Sequence, residues 1–356
     1  MTTFTDPQTG TRVMQITDHP SINHPVYFLE SSFTPDGSKI LFTSYRTGAA
    51  QLFIAGFPDG ETEQLTFGDP VHAYSAAIRG ERVFFVRGNE IWLIRLDTRA
   101  EQRIAVFDGQ LGEVAPDAQG DWLVAAIKTS SGSGLVCGRS DGTQWKLIPF
   151  PRTVIHPQFH PLEPGWIEFA GDPAPRMHRV RRDGSGLECL YQHGNDEFVV
   201  HETFLGNTGD LVFTVWPYRL CRMSWETRDI RLISEGNAWH ITPNSAGTQV
   251  LCDTNHPDRG IWLIDVHTGK WRQVCESKSG NRGTQWSKSC YALAEDFAAA
   301  RAANPNHLSW METPADTVYG PQWTHPHPAF SNDERRITFT SDRSGDPQVY
   351  VADLLC

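Results

Sequence analysis

A tight turn returns along this chain about every 40 residues, with short apolar strands on either side. The turns are Asp36-Gly37, Arg79-Gly80, Gln119-Gly120, Pro164-Gly165, Thr208-Gly209 and Ala246-Gly247, and Asp333-Glu334 takes the same place near the end. The first repeat is the clearest. Phe33-Thr-Pro-Asp-Gly37 turns into the strand Lys39-Ile-Leu-Phe-Thr-Ser44, and Ala50-Gln-Leu-Phe-Ile-Ala55 follows. Short strands divided by Gly, Asp and Pro turns read as antiparallel meander. The pattern recurs at Arg82-Val-Phe-Phe-Val86, Trp122-Leu-Val-Ala-Ala-Ile127, Trp166-Ile-Glu-Phe169, Leu211-Val-Phe-Thr-Val215, Gln249-Val-Leu-Cys252 and Ile337-Thr-Phe-Thr340. Repeats of this length, each of four short strands, are blades, so the sequence predicts an all-β, seven-bladed β-propeller.

The chain runs out on Gln348-Val-Tyr-Val-Ala352 with no further strand behind it. The N-terminal segment Thr11-Arg-Val-Met-Gln-Ile-Thr17 is the spare strand that completes the last blade and closes the ring, removing open sheet edges. Residues 1–356 therefore read as a single propeller domain with an inserted, partly helical segment at about 277–320. Within the insertion, Tyr291 to Ala303 is alanine-rich and helix-forming, Ser289 is a candidate cap, and Asn304-Pro305 is a stop. An insertion beside a candidate site acts as a lid or wall, or else decorates the surface.

Composition narrows the partners. The net charge is -11 with no basic block, which argues against a nucleic-acid partner. No apolar stretch is long enough to cross a bilayer, so no membrane partner is expected. The opening Met-Thr-Thr-Phe-Thr-Asp-Pro-Gln has no basic start or apolar run of a secretory signal. The seven cysteines are scattered with no Cys-x-x-Cys pair, and they read as reduced thiols of a cytoplasmic protein.

Histidine fills one register of the repeat. Roughly eight residues upstream of successive turns stand His72, His156, His201 and His240, with His24 a little further from its turn, and His325 and His327 hold the same place in the last repeat. Equivalent positions of a ring face one point, so this register predicts imidazoles around one pocket. The segment Gln322-Trp-Thr-His325-Pro-His327-Pro offers an amide oxygen and two imidazoles. Its prolines favour extended backbone, in which residues two apart share a side, so His325 and His327 are expected to face one point. His240 can add a third imidazole from the preceding blade. Such a donor set suits a borderline divalent ion (Mn, Fe, Ni or Zn) better than Ca or Mg. His201 reads three ways: a ligand, a general base or a structural imidazole. His156 is either structural or a substrate contact. Arg176 opens a predicted strand and is a candidate carboxylate clamp, whereas Arg179, Arg181 and Arg182 read as solvated. There is no phosphate-cradling glycine motif.

These residues resemble the oligogalacturonate lyases, a polysaccharide lyase family built on a seven-bladed propeller. The specific match is Gln322-Trp-Thr-His325-Pro-His327-Pro-Ala-Phe with Phe339-Thr-Ser-Asp342. The opening, Val13-Met-Gln-Ile-Thr17, Tyr27-Phe28 and Phe33-Thr-Pro-Asp-Gly37, is similar too, and weaker matches lie at His156-Pro, Arg176-Met, His201-Glu202 and His240. The resemblance implies that His240, Gln322, His325 and His327 hold a divalent metal, typically Mn2+. It implies that His201 is the base and that Arg176 contacts the substrate carboxylate. It implies a uronate oligosaccharide as partner, cleaved by β-elimination to unsaturated uronates. Two departures bear on which uronate is taken: Leu111 to Pro151 is shorter and poorer in aromatics than the family's, and Thr203 intervenes before Phe204. The competing expectation is a non-catalytic, TolB-like propeller that binds a protein or peptide. It shares the repeat but has no need of the histidine register.

Overall fold

The computed structural model describes residues 2–58, 60–194, 196–255, 258–280 and 322–354. Its strands form seven antiparallel sheets, the blades of the expected propeller. The inner strands, which number the blades here, are Asn23–Pro25, Ala77–Arg79, Gln110–Pro116, Thr153–Phe159, Val199–Phe204, Ile241–Pro243 and Ala329–Phe330. The described residues contain no α-helix. The predicted helix from Tyr291 to Ala303, its cap Ser289 and its stop at Asn304-Pro305 lie outside them.

Alternate residues of each strand pack against the next blade, as the period of two requires. Leu41, Leu52 and Ile54 of blade 1 meet Ile78, Val83 and Phe85 of blade 2. Val13, Phe339 and Tyr350 of blade 7 meet Leu251 and Leu263 of blade 6. Each such fully buried side chain stabilises the ring by about 1.5–3 kcal/mol.

The ring closes as the sequence predicts. Arg12–Gln15 pairs with Gln348–Asp353, setting Val13 opposite Ala352 and Met14 opposite Val351. One strand more is present than expected: Thr2–Thr5 pairs with Arg12–Gln15, so blade 7 has five strands. Asp6 makes the connecting turn by accepting the backbone N–H groups of Gln8 and Thr9 at 3.0 Å.

Blade 1 carries an excursion that fills the channel. Its inner strand stops at Pro25, and pairing resumes only where Phe33 meets Ile40. The intervening residues 26–31 turn inward and bury Phe28 completely and Tyr27 almost so. Several contacts pin this plug. Arg79 grips Glu30 at 2.6 and 3.0 Å, Thr242 donates to the Phe28 carbonyl at 2.9 Å, and Ser31 donates to the Phe330 carbonyl at 2.8 Å.

Three consecutive inner strands share a bulge at one place. Register slips between Leu111 and Val114, between Ile155 and Gln158, and between Val200 and Thr203. A bulge leaves two residues opposite one and re-aims their side chains. The pairs so displaced are Gly112-Glu113, His156-Pro157 and His201-Glu202. His156 and His201 take left-handed φ values of 53° and 54°. A non-glycine residue held there costs of order 1–3 kcal/mol, a strain that clusters at functional sites.

Candidate metal centre and active site

The register histidines converge. His240, His325 and His327 are buried, and their ligand atoms lie within 4.8 Å of one another. The route differs from the expected one. His325 follows a 3-10 turn, Gln322–Thr324, and His327 has a left-handed φ of 45° rather than an extended backbone. The two rings still meet, with centroids 5.8 Å apart. Gln322 opens that turn, but its side chain lies outside the described residues.

Asp253 organises the cluster. Its carboxylate takes the Nδ1 of His240 at 2.7 Å and the backbone N–H of His240 at 2.8 Å. It also accepts a backbone hydrogen bond from His327. With Nδ1–H given to the carboxylate, His240 turns its Nε2 lone pair to the site, the usual outer support of a metal-bound imidazole. The sequence reading missed Asp253. An aspartate ending an apolar strand reads as an ordinary turn residue, and only the fold brings it behind His240.

The donor set fits a metal. His327 Nε2 is buried without a hydrogen-bond partner. Burial pushes the His240 and His327 imidazoles well below their ordinary pKa, and the neighbouring imidazoles push the same way. Neutral imidazoles with ligand atoms this close together are what a borderline divalent ion requires.

His201 stands beside the triad, its ring 4.7 Å from that of His240 and 4.5 Å from that of Trp239. A hydrogen bond with the Trp239 backbone orients it, and its Nδ1 has no partner. Burial, then His240 and His156, hold it well below the ordinary histidine pKa, so it is a neutral proton acceptor. His156 comes next around the channel, 6.2 Å from His201, and its Nε2 is 2.9 Å from the Tyr27 hydroxyl. Burial lowers its pKa to about 4. His24 stacks on Tyr74 at 4.5 Å. His72 is only half-buried.

Arg176 is buried beside this group but is not bare. Its Nε and Nη2 donate to Glu202 at 2.9 and 3.2 Å, and Nη1 lies 4.0 Å from Asp172. Burial pushes the Glu202 pKa up, but the charge and hydrogen bonds of Arg176 outweigh it, and the net shift is downward. The bulge links this pair to His201, since Glu202 is the next residue. Of the neighbouring arginines, Arg181 is exposed as expected, whereas Arg179 and Arg182 are half-buried. Arg179 stacks 4.5 Å from the Trp166 ring, Arg181 lies 4.2 Å from the same ring, and Arg182 lies 4.2 Å from Trp122. Stacking on a tryptophan face gives a surface guanidinium a structural use.

No protein-family model matches the chain. Curated proteins do. An oligogalacturonate lyase of Dickeya dadantii is 22% identical over 98% of this chain and 95% of its own length. An oligogalacturonide lyase of Pectobacterium atrosepticum is 21% identical over the same shares. A solved oligogalacturonate lyase in complex with manganese superposes with a TM-score of 0.81 at 19% identity, covering 99% of this chain and 96% of that one. The chain is similar over nearly its whole length to the oligogalacturonate lyases. Both curated relatives are lyases by name. The family likeness runs through all seven blades, because the aligned share is nearly the whole chain.

Proposed function

We propose that this chain is a metal-dependent lyase that cleaves short oligogalacturonides by β-elimination to unsaturated uronates. The observation that carries the reading is the convergence of His240, His325 and His327 beside a His201 whose Nδ1 has no hydrogen-bond partner. The family likeness supports it, and so does the solved relative's manganese.

In this reading His240, His325, His327 and Gln322 hold a divalent ion, Mn2+ by likeness. Bound there, the ion supplies Lewis-acid stabilisation of the charge that builds on the uronate carboxylate. The protein's own groups do the rest. His201 takes the C5 proton through its free nitrogen, its neutrality secured by burial. Arg176 faces the same carboxylate as a fixed cation, held rigid by Glu202. His156 contacts the substrate from the next blade. Phe28 seals the floor and keeps the channel below from flooding the site.

No helix among the described residues is long and apolar enough to cross a membrane. The five described cysteines are all free, which supports the cytoplasmic setting this reading assumes. The rival, a non-catalytic binding propeller, gains no observation of its own.

The test is an absorbance assay for the conjugated product with digalacturonate, run on metal-replete, chelated and manganese-restored protein. Signal that stops on chelation and returns with manganese is expected. No signal from protein that still binds manganese would rule out this substrate, and no signal together with no metal would favour the binding module.

A further inference from the structure

Five rings close a circuit around Phe28. The centroid distances run His240–His201 4.7 Å, His201–His156 6.2 Å, His156–Tyr27 5.5 Å, Tyr27–His327 5.4 Å and His327–His240 4.0 Å. Phe28 touches each of the five, at 4.5 to 6.4 Å. In the lyase reading, a uronate whose carboxylate is held at the triad would bring C5, and C4 beside it, to this circuit.

Elimination needs two proton transfers, one from C5 and one to the departing oxygen on C4. Three of the circuit's imidazoles are assigned: His240 and His327 as ligands, His201 as base. Among the described residues, the circuit's remaining proton-bearing groups are Tyr27 and His156, joined at 2.9 Å. We propose that Tyr27 is the acid that protonates the leaving oxygen, with His156 as the positioning residue that holds its hydroxyl. This rests on the lyase reading given above.

The hydrogen-bond roles are consistent with one assignment. A neutral His156 protonated on Nε2 donates to the Tyr27 oxygen, which leaves the hydroxyl hydrogen free for the substrate. Its Nδ1 is then a bare lone pair, and that atom has no partner in the structure. Beside the pair, a cavity of about 120 Å³ lined by Tyr27, Tyr74, Glu113 and His156 leaves the hydroxyl room to turn.

The step balances. The C5–H electrons form the C4–C5 double bond, and the C5 proton goes to His201. The C4–O bond breaks with its electron pair on oxygen, which takes the Tyr27 proton. After product leaves, the His201 imidazolium releases a proton to water and the Tyr27 phenolate takes one back.

Two substrates test this: digalacturonate, whose leaving sugar oxygen needs a proton, and a galacturonate carrying a nitrophenyl ether at C4, whose leaving group needs none. Tyr27→Phe is expected to lower kcat on digalacturonate by about 10²–10⁴-fold, the usual worth of a general acid, while the nitrophenyl ether is turned over at close to the wild-type rate. Manganese bound per chain, measured in parallel, should be unchanged. Should Tyr27→Phe fail to hold metal, His156→Ala is read instead: loss of its substrate contact should raise KM on both substrates, while kcat should fall on digalacturonate alone. Equal losses on both substrates, or no loss on either, would overturn the proposal. A wild-type protein inactive on both substrates overturns the oligogalacturonide reading itself, whereas an active wild type with an unimpaired Tyr27→Phe overturns only this inference.

Discussion

His240 gives its Nδ1 to Asp253 at 2.7 Å, and the same carboxylate receives the His240 backbone N–H at 2.8 Å. One side chain thus fixes both the ring and the backbone of a candidate ligand, and through a further backbone bond it reaches His327. Asp253→Asn keeps the shape but weakens this hold on the tautomer. Manganese affinity should fall by about 10–100-fold, the usual loss when an outer partner of a metal ligand is removed. Titration calorimetry with manganese checks it. An affinity equal to wild type would mean that Asp253 is only a packing residue.

His201 neighbours the triad but is not grouped with it as a ligand. His201→Ala should abolish formation of unsaturated product while leaving one manganese per chain. Elemental analysis beside the absorbance assay separates the two roles. Metal lost together with activity would make His201 a ligand.

The repeats were legible because turn chemistry and the period of two recur in every blade, so Lys39–Ser44 and Arg336–Ser341 announce the same element. The closing strand was legible for the same reason, since Val13 and Met14 are apolar and buried. Thr2–Thr5 was not, because a largely exposed run of threonines carries no apolar alternation. The histidines were visible as a register, but the bulges that aim His156 and His201 were not. A one-residue slip in pairing leaves no mark in composition or spacing. Tyr27 and Phe28 read as an apolar pair near a strand. That they plug the channel follows from residues 26–31 leaving the sheet, a tertiary choice fixed by Arg79 and Thr242.

The buried pair Arg176–Glu202 makes a contrast with its neighbour Glu168. Glu168 is fully buried, and burial followed by the charge of Glu202 pushes its pKa well above the usual carboxylate range, which favours its protonated form. Glu202→Ala strands the Arg176 charge in the interior and should lower stability by about 3–5 kcal/mol. Glu168→Gln keeps the shape and removes a charge that burial already disfavours, so it should change stability far less. Urea unfolding midpoints compare them directly. Equal losses would show that the two carboxyls share the arginine's charge.

His24 ties acid sensitivity to the fold without belonging to the triad. It is fully buried against Tyr74, and burial lowers its pKa to about 4 from the ordinary 6.5, partly offset by the hydrogen bond from Nδ1 to the Pro25 carbonyl. Between those two values the unfolded chain binds a proton at this site that the folded chain does not. Stability at this site is therefore fully present above pH 6.5 and is lost as pH falls towards 4, by about 1.4 kcal/mol per pH unit in the middle of the window. His24→Phe keeps the stacked ring and removes the titration. Unfolding free energies of metal-free protein at pH 7 and pH 5 should then differ less in the variant than in the wild type. An undiminished pH slope in His24→Phe would show that His24 already takes up its proton in the folded state.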